Sequence, residues 1–152
     1  MAHPASETQP TWQIKLLFDG DCPLCLREVN FLRFQDKGQG RVAFVDISAP
    51  DYNPDDHAGI DYATAMGRIH GITADGQILQ NVEVFRRIYA LLGLGWLYAP
   101  TGWPLLRPLV DWLYGLWADR RLALTGRPSL ATLLALRQTS REACATGQCR
   151  RD

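Results

Sequence analysis

The sequence predicts an α/β fold, a mixed four-stranded sheet with the element order β-α-β-α-β-β-α, followed by additional C-terminal helices. Three observations predict it. Short apolar runs typical of buried strands alternate with stretches of helical periodicity. Two alternating stretches flank an Asp-Gly pair, which indicates a β-hairpin. The last third of the chain is rich in tryptophan, leucine and proline. A chain of 152 residues fits one domain that buries a substantial core.

The first two apolar runs predict parallel strands joined by a helix. They cover residues 14–18 and 42–47, and the stretch between them keeps helical spacing to about residue 34. A strand, a helix and a strand in close succession predict a right-handed unit. The turn after the first strand then lies at its carboxyl end, where open α/β sheets place their sites. We expect the helix to bury four residues: Val29, Phe31, Leu32 and Phe34.

The middle of the chain predicts the second half of the sheet. Three elements are expected: a short helix over residues 57–66, and the hairpin strands over residues 68–73 and 77–81. Asn81 is a candidate N-cap for the next helix, and Gly93 would end that helix.

The tryptophan-rich part covers residues 94–136 and leaves two interpretations open. An apolar stripe at helical spacing predicts a helix packed on the core: Leu106, Leu109, Val110, Leu113 and Trp117. The alternative is contact with a membrane surface. No stretch reaches the roughly 18 apolar residues that a membrane-spanning helix needs. A final helix is expected from Ser129 to about Gln138.

Composition and charge indicate the domain organisation and the cellular compartment. Sixteen basic residues balance sixteen acidic ones, so a nucleic-acid partner is not expected. We expect a disordered leader over residues 1–12, one domain over residues 13–138 and a polar, cysteine-containing tail over residues 139–152. The first residues have no basic and apolar signal segment, which predicts a cytoplasmic protein. In that compartment cysteine pairs are typically catalytic, redox-sensing or metal-binding.

The candidate site is the segment Phe18-Asp19-Gly20-Asp21-Cys22-Pro23-Leu24-Cys25. Cys22 and Cys25 lie three residues apart on one helical face, near enough to form a disulfide. The N-terminus of a helix stabilises a thiolate, the attacking species in disulfide exchange. We expect Cys22 to be the nucleophile, with the more exposed sulfur, and Cys25 to be the resolving thiol. Asp21 is a candidate N-cap, and Pro23 fits the first helical turn.

The spacing Asp19-x-x-Cys22-x-x-Cys25 after a strand resembles the DCC family of predicted thiol-disulfide oxidoreductases. That family is similar in its core to thioredoxin-like proteins. Near the C-terminus, two features resemble the family's tail: Tyr114-x-x-x-Ala118-x-x-Arg121 and the pair Cys144 and Cys149. The resemblance implies a thioredoxin-like core and a functional Asp19, which would accept the proton of Cys25; shaping the turn is its alternative role.

We interpret the chain as a thiol-disulfide oxidoreductase that cycles Cys22 and Cys25 between dithiol and disulfide. Its partners would be a disulfide-containing protein or small-thiol substrate and an external reductant. No bound cofactor and no metal are expected. Cys144 and Cys149 are a possible accessory redox pair. The alternative function is a zinc or iron–sulfur module that uses all four cysteines: Cys22, Cys25, Cys144 and Cys149.

Overall fold

The computed structural model describes residues 10–147. In this part of the chain the strands are β1 (Ile14–Phe18), β2 (Val42–Asp46), β3 (His70–Thr73) and β4 (Ile78–Gln80). The helices are α1 (Pro23–Asp36), α2 (Tyr62–Gly67), α3 (Val82–Leu91), α4 (Gly95–Tyr98), α5 (Arg107–Leu124) and α6 (Leu130–Ala145). Short 3₁₀ helices cover Pro54–His57 and Ala99–Gly102.

The strands form one mixed sheet in the order β2-β1-β3-β4. β1 is parallel to β2 and antiparallel to β3, and β3 is antiparallel to β4. The register places Phe18 opposite Asp46 and Leu17 opposite His70. The predicted α/β class and mixed four-stranded sheet are confirmed, and the topology is consistent with a thioredoxin-like core.

Helices cover both faces of the sheet because side chains alternate along β1. Leu16 and Phe18 pack in one cluster with residues of α1 and α3, whereas Leu17 packs in a second cluster with residues of α2 and α6. The central strand is therefore buried on both sides, which explains why its sequence is nearly continuously apolar.

Helix α1 differs from the prediction at its start and on its outer face. Cys22, rather than Asp21, occupies the N-cap position, and Pro23 is the first helical residue. Val29 and Leu32 are buried as expected. Phe31 and Phe34 are 39% and 76% exposed, so their predicted burial is wrong. Steps of about 100° per residue place both rings away from the face that carries the buried positions.

The predicted helix over residues 57–66 forms only in its second half, as α2. Ala58 and Gly59 have φ angles of 55° and 74°, which interrupt a right-handed helix. The chain therefore forms a 3₁₀ turn before them and α2 after them. Asp61 caps α2 by accepting the N–H of Thr64 at 2.7 Å. Asn81 lies at the N-cap position of α3 but makes no side-chain cap hydrogen bond, so its predicted capping role is wrong.

The predicted apolar stripe of α5 is not core. Leu109 and Leu113 are 52% and 50% exposed, and the buried residues of the helix are Ala118 and Arg121. Helical spacing identifies an apolar face, but it does not say whether another element covers that face. Within residues 10–147 no helix is long and apolar enough to span a membrane.

Helix α6 continues beyond its predicted end near residue 138 and includes Cys144. The expected polar tail is therefore helical up to Ala145. The hydroxyls of Thr139 and Ser140 donate to carbonyls one turn earlier, each at 3.0 Å, so these polar residues are accommodated within the helix. Residues 1–9 and 148–152 lie outside the described range. The predicted leader and domain limits therefore stay predictions.

Candidate active site

A tight loop of residues 19–22, called the cysteine loop below, joins β1 to α1. The N–H of Cys22 donates to the carbonyl of Asp19 at 3.2 Å, and the N–H of Gly20 donates to Asp46 Oδ1 at 2.8 Å. A Cβ at Gly20 would lie 2.0 Å from Asp46 Oδ2, so only glycine fits there. Because Asp46 ends β2, the cysteine loop is fixed to the carboxyl ends of two parallel strands, as expected.

Cys22 and Cys25 are free thiols in the first turn of α1. The Sγ of Cys22 accepts the N–H of Cys25 at 3.4 Å and thereby caps the helix. N–H groups and the helix dipole at this position favour a negatively charged sulfur. Cys22 is only 1% exposed, whereas Cys25 is partly exposed. The expectation that Cys22 carries the more exposed sulfur is therefore wrong, because a capping sulfur points towards the helix.

The Cys25 thiol holds its proton tightly. Burial raises the pKa of Cys25 from 9.0 to about 12, and the hydrogen bond to Cys22 and the charge of Cys22 act in the same direction. Arg121 lowers this pKa, and the carboxylate of Asp19 raises it. After burial, Cys22 is therefore the group that raises the pKa of Cys25 most.

Asp19 is buried, at 2% exposure, and its carboxylate has two partners. Its Oδ1 accepts the N–H of Asp21 at 3.1 Å, and its Oδ2 forms an ion pair with Arg127. Asp21 itself is exposed and does not cap α1. Arg127 was missed by sequence analysis because it lies 108 residues from Asp19 in a loop without a recognisable motif.

Helix α5 brings two polar side chains to the other side of the cysteines. The Nη1 of Arg121 lies 4.0 Å from Cys25 Sγ, and its Nη2 donates to the carbonyl of Met66. The hydroxyl of Tyr114 accepts the N–H of Ile69 at 3.0 Å. Tyr114 and Arg121 are seven residues apart, or about two helical turns, and so share one face. Their spacing was noted in the sequence, but their positions at the site were not predicted.

An apolar cavity of about 490 Å³, called the Cys25 cavity below, opens beside this sulfur. Helices α1, α3 and α5 and the sheet form its wall. Cys25 lines the cavity, and Cys22 is not among its lining residues. Its apolar lining includes Phe18, Leu24, Phe85, Val110, Leu113 and Trp117. Part of the predicted apolar stripe of α5 therefore faces a cavity.

The other two cysteines belong to the C-terminal end of the sequence. Cys144 lies near the end of α6, and Cys149 lies outside the described residues. Among the described residues, no group of three or more His, Cys, Asp or Glu side chains is arranged to hold a metal ion. The accessory redox pair and the four-cysteine metal module both require Cys149, and both stay predictions.

Comparison with known proteins identifies a family whose matched segment includes the cysteine loop. The sequence model of the DCC1-like thiol-disulfide oxidoreductase family matches residues 16–127. An Arabidopsis thaliana protein, described as uncharacterized and chloroplastic, is 48% identical over 134 residues. That alignment covers 88% of this chain and 63% of the plant protein, so the chain spans less than two thirds of its relative. No solved structure gives a significant match. The chain belongs to the DCC1-like thiol-disulfide oxidoreductase family.

Proposed function

We propose that the protein exchanges disulfides with its substrates by cycling Cys22 and Cys25 between dithiol and disulfide. The observation that carries the proposal is the cap of α1, where two free thiols share one helical turn and Cys22 Sγ accepts the N–H of Cys25. Family membership gives the general chemistry, and this contact gives the two sulfurs different roles.

In the first step, Cys22 attacks one sulfur of the substrate disulfide. The raised pKa of Cys25 keeps that thiol protonated, so we assign the attack to Cys22, whose sulfur accepts the N–H of Cys25 at the start of α1. A bond forms between Cys22 Sγ and the attacked sulfur, the substrate S–S bond breaks, and the first thiolate leaves and takes a proton from water. The product is a mixed disulfide.

In the second step, Cys25 attacks Cys22 Sγ and releases the second substrate thiol. Two causes of the raised pKa of Cys25, its hydrogen bond to Cys22 and the charge of Cys22, are lost once Cys22 is covalently bound. Arg121 still lowers the pKa of Cys25, so this thiol ionises more readily when it is needed. We assign Asp19 as the acceptor of its proton, which then passes to the departing substrate thiolate. The substrate gains two electrons and two protons, and Cys22 and Cys25 become a disulfide.

The cycle requires an external dithiol or reductase to return Cys22 and Cys25 to the reduced state. No bound organic cofactor is needed for this chemistry. We propose a cytoplasmic setting, as inferred from the sequence, where a thiol reductant is available. The relative from Arabidopsis thaliana is itself described as chloroplastic.

A single-turnover assay tests the proposal. Reduced wild-type protein, freed of other thiols, is mixed with a protein disulfide, and released thiols and mixed disulfides are measured. We expect two substrate thiols per Cys22–Cys25 disulfide formed, no reduction by Cys22→Ser, and a trapped mixed disulfide with Cys25→Ser. A trapped mixed disulfide with Cys22→Ser would reverse the assigned roles. Thiol release by a Cys22→Ser/Cys25→Ser variant at the wild-type rate would refute the function.

A further inference from the structure

We propose that the Cys25 cavity is the substrate site and selects a low-molecular-weight disulfide that carries a bulky, uncharged apolar group. This inference rests on the proposed function and names the substrate class for the same site. Three features of the cavity carry it: its size and lining, the hydrogen bonds of its charged groups, and the pairing of the backbone at its edge.

The cavity has the size and composition of a small-molecule site. Its volume of about 490 Å³ lies within the range of roughly 300–1,000 Å³ of ligand pockets. Aromatic and aliphatic side chains dominate its wall, and the partly exposed sulfur of Cys25 forms part of it. An apolar group bound there gains free energy by leaving water, and it does so in contact with a redox-active atom.

The charged groups of the wall are already occupied. Among its described lining residues, the charged side chains are Glu28 and Arg121. Glu28 accepts the hydroxyl of Tyr89 at 2.7 Å, and Arg121 is held by the carbonyl of Met66 and by Cys25. A charged disulfide such as oxidised glutathione would lose its water and would have to compete with these hydrogen bonds for either group. The wall therefore favours an uncharged ligand.

The backbone next to the cavity is also paired, which disfavours an extended polypeptide. The carbonyl of Met66 accepts from Arg121, and the N–H of Ile69 donates to Tyr114 at 3.0 Å. The carbonyl of Ile69 accepts the N–H of Asn81 at 3.2 Å. A peptide strand would need such groups for main-chain hydrogen bonds. Because α5 supplies both side chains, the helix that encloses the cavity also closes this edge.

The chemistry balances without a further reactant in the cavity. An apolar group R seated in it places the R–S–S–R sulfurs beside Cys25. Cys22 does not line the cavity, but its sulfur is hydrogen-bonded to the Cys25 thiol, and from there it attacks the nearer substrate sulfur. Exchange then converts R–S–S–R and the Cys22–Cys25 dithiol into two R–SH molecules and the Cys22–Cys25 disulfide. An external dithiol restores the protein and is itself oxidised to a disulfide.

The test compares two neutral disulfides that differ only in the apolar group: the symmetrical disulfides of N-acetylcysteine benzylamide and N-acetylcysteine methylamide. Their reacting sulfurs are chemically equivalent. We expect kcat/KM of the wild-type protein to be at least about tenfold higher for the benzylamide, as one well-buried apolar group provides. Oxidised glutathione should react more slowly than the benzylamide disulfide.

Two leucines of α5 provide a matched pair of variants. Leu113 is 50% exposed and lines the cavity, whereas Leu109 is 52% exposed and is not among the lining residues. Leu113→Gln should reduce the preference for the benzylamide by several-fold. Leu109→Gln should retain the wild-type preference. An equal loss of preference in both variants would overturn the assignment of the cavity.

Binding of the unreactive thioether analogue of the benzylamide, followed by calorimetry, separates this inference from the proposed function. Binding to wild-type protein but not to Leu113→Gln, without reduction of any disulfide, would support the cavity and refute the function. Equal rates for the two amides, with reduction intact, would overturn the cavity and leave the function standing. A protein disulfide that reacts faster than the benzylamide would show that a polypeptide is the occupant and would also overturn the inference.

Discussion

The cysteine loop and helix α5 act on the same two sulfurs in different ways. In the loop, the hydrogen bonds that place the two sulfurs join near neighbours: Cys22 to Asp19, and Cys25 to Cys22. From α5 and the loop that follows it, the contacts are remote in sequence. Arg121 reaches Cys25 across 96 residues, and Arg127 reaches Asp19 across 108 residues. The reactive atoms are thus placed locally, and the charges around them are supplied by tertiary packing.

This difference predicts separate consequences for mutations in the two regions. A change in α5 or its following loop should alter stability and the ionisation of the sulfurs while α1 keeps its cap. A change in the cysteine loop should disturb the cap itself. The predictions below test this division, from the largest expected effect to the smallest.

Removing the remote ion pair should have the largest effect on stability. Arg127→Met leaves the carboxylate of Asp19, whose side chain is 1% exposed, without its cation. Breaking a buried pair in this way costs about 3–5 kcal/mol of unfolding free energy. Urea denaturation of the reduced proteins measures the loss, and the double variant Asp19→Asn/Arg127→Met should recover part of it.

Arg68→Met is the matched control for that prediction. Arg68 pairs with Asp119 at 2.7 Å, but the two side chains are 36% and 63% exposed. An exposed pair contributes about 0–1 kcal/mol. If Arg127→Met and Arg68→Met lost equally little stability, the ion pair between Asp19 and Arg127 would not stabilise the fold as predicted.

Gly20→Ala tests the local part of the site. The added Cβ would overlap Asp46 Oδ2 at 2.0 Å, so the loop or the carboxylate must move, at a cost of about 1–3 kcal/mol. We expect lower stability and slower disulfide exchange together. Gly67→Ala, at the end of α2, is the control, because a Cβ there has no atom within 4 Å. A Gly20→Ala protein with wild-type stability and exchange rate would contradict the assigned role of the glycine.

The pH dependence of stability tests the tight hold on the Cys25 proton. The pKa of Cys25 is raised from 9.0 to about 12 in the folded protein. Between these values the unfolded chain has lost a thiol proton that the folded protein retains. Rising pH therefore favours unfolding in this interval, and below it both states keep the proton.

Urea midpoints of reduced wild type and Cys25→Ser, measured from about pH 8 to about pH 11, give the comparison. The wild type should lose stability more steeply with pH than the variant. Several tyrosines, including Tyr114, also have raised pKa values, but they act in both proteins and cancel in the difference. Parallel curves would mean that Cys25 titrates alike in the folded and unfolded states.

The features that the sequence predicted depend on short segments, whereas the features that it missed depend on tertiary packing. Apolar runs and an Asp-Gly turn were enough to predict the sheet, because strand burial and hairpin geometry depend on short segments. The spacing of Cys22 and Cys25 predicted the site for the same reason. The partner of Asp19 and the position of Arg121 depend on how α5 and the loop that follows it dock. The apolar stripe identified the apolar face of α5. It did not show that part of this face lines the Cys25 cavity.

Leu113→Ala should have the smallest effect and addresses that stripe directly. Leu113 is 50% exposed, and a half-exposed leucine loses only about 1 kcal/mol or less on truncation, since much of its apolar surface is already in water. Ile88, on α3, is 0% exposed and packs in the core. Ile88→Ala should therefore cost about 2–5 kcal/mol through the cavity it leaves. Urea denaturation of the two variants under the same conditions compares a stripe that faces a cavity with one that faces the core. Equal losses would mean that α5 packs on the sheet as closely as α3, which would leave no open cavity beside Cys25.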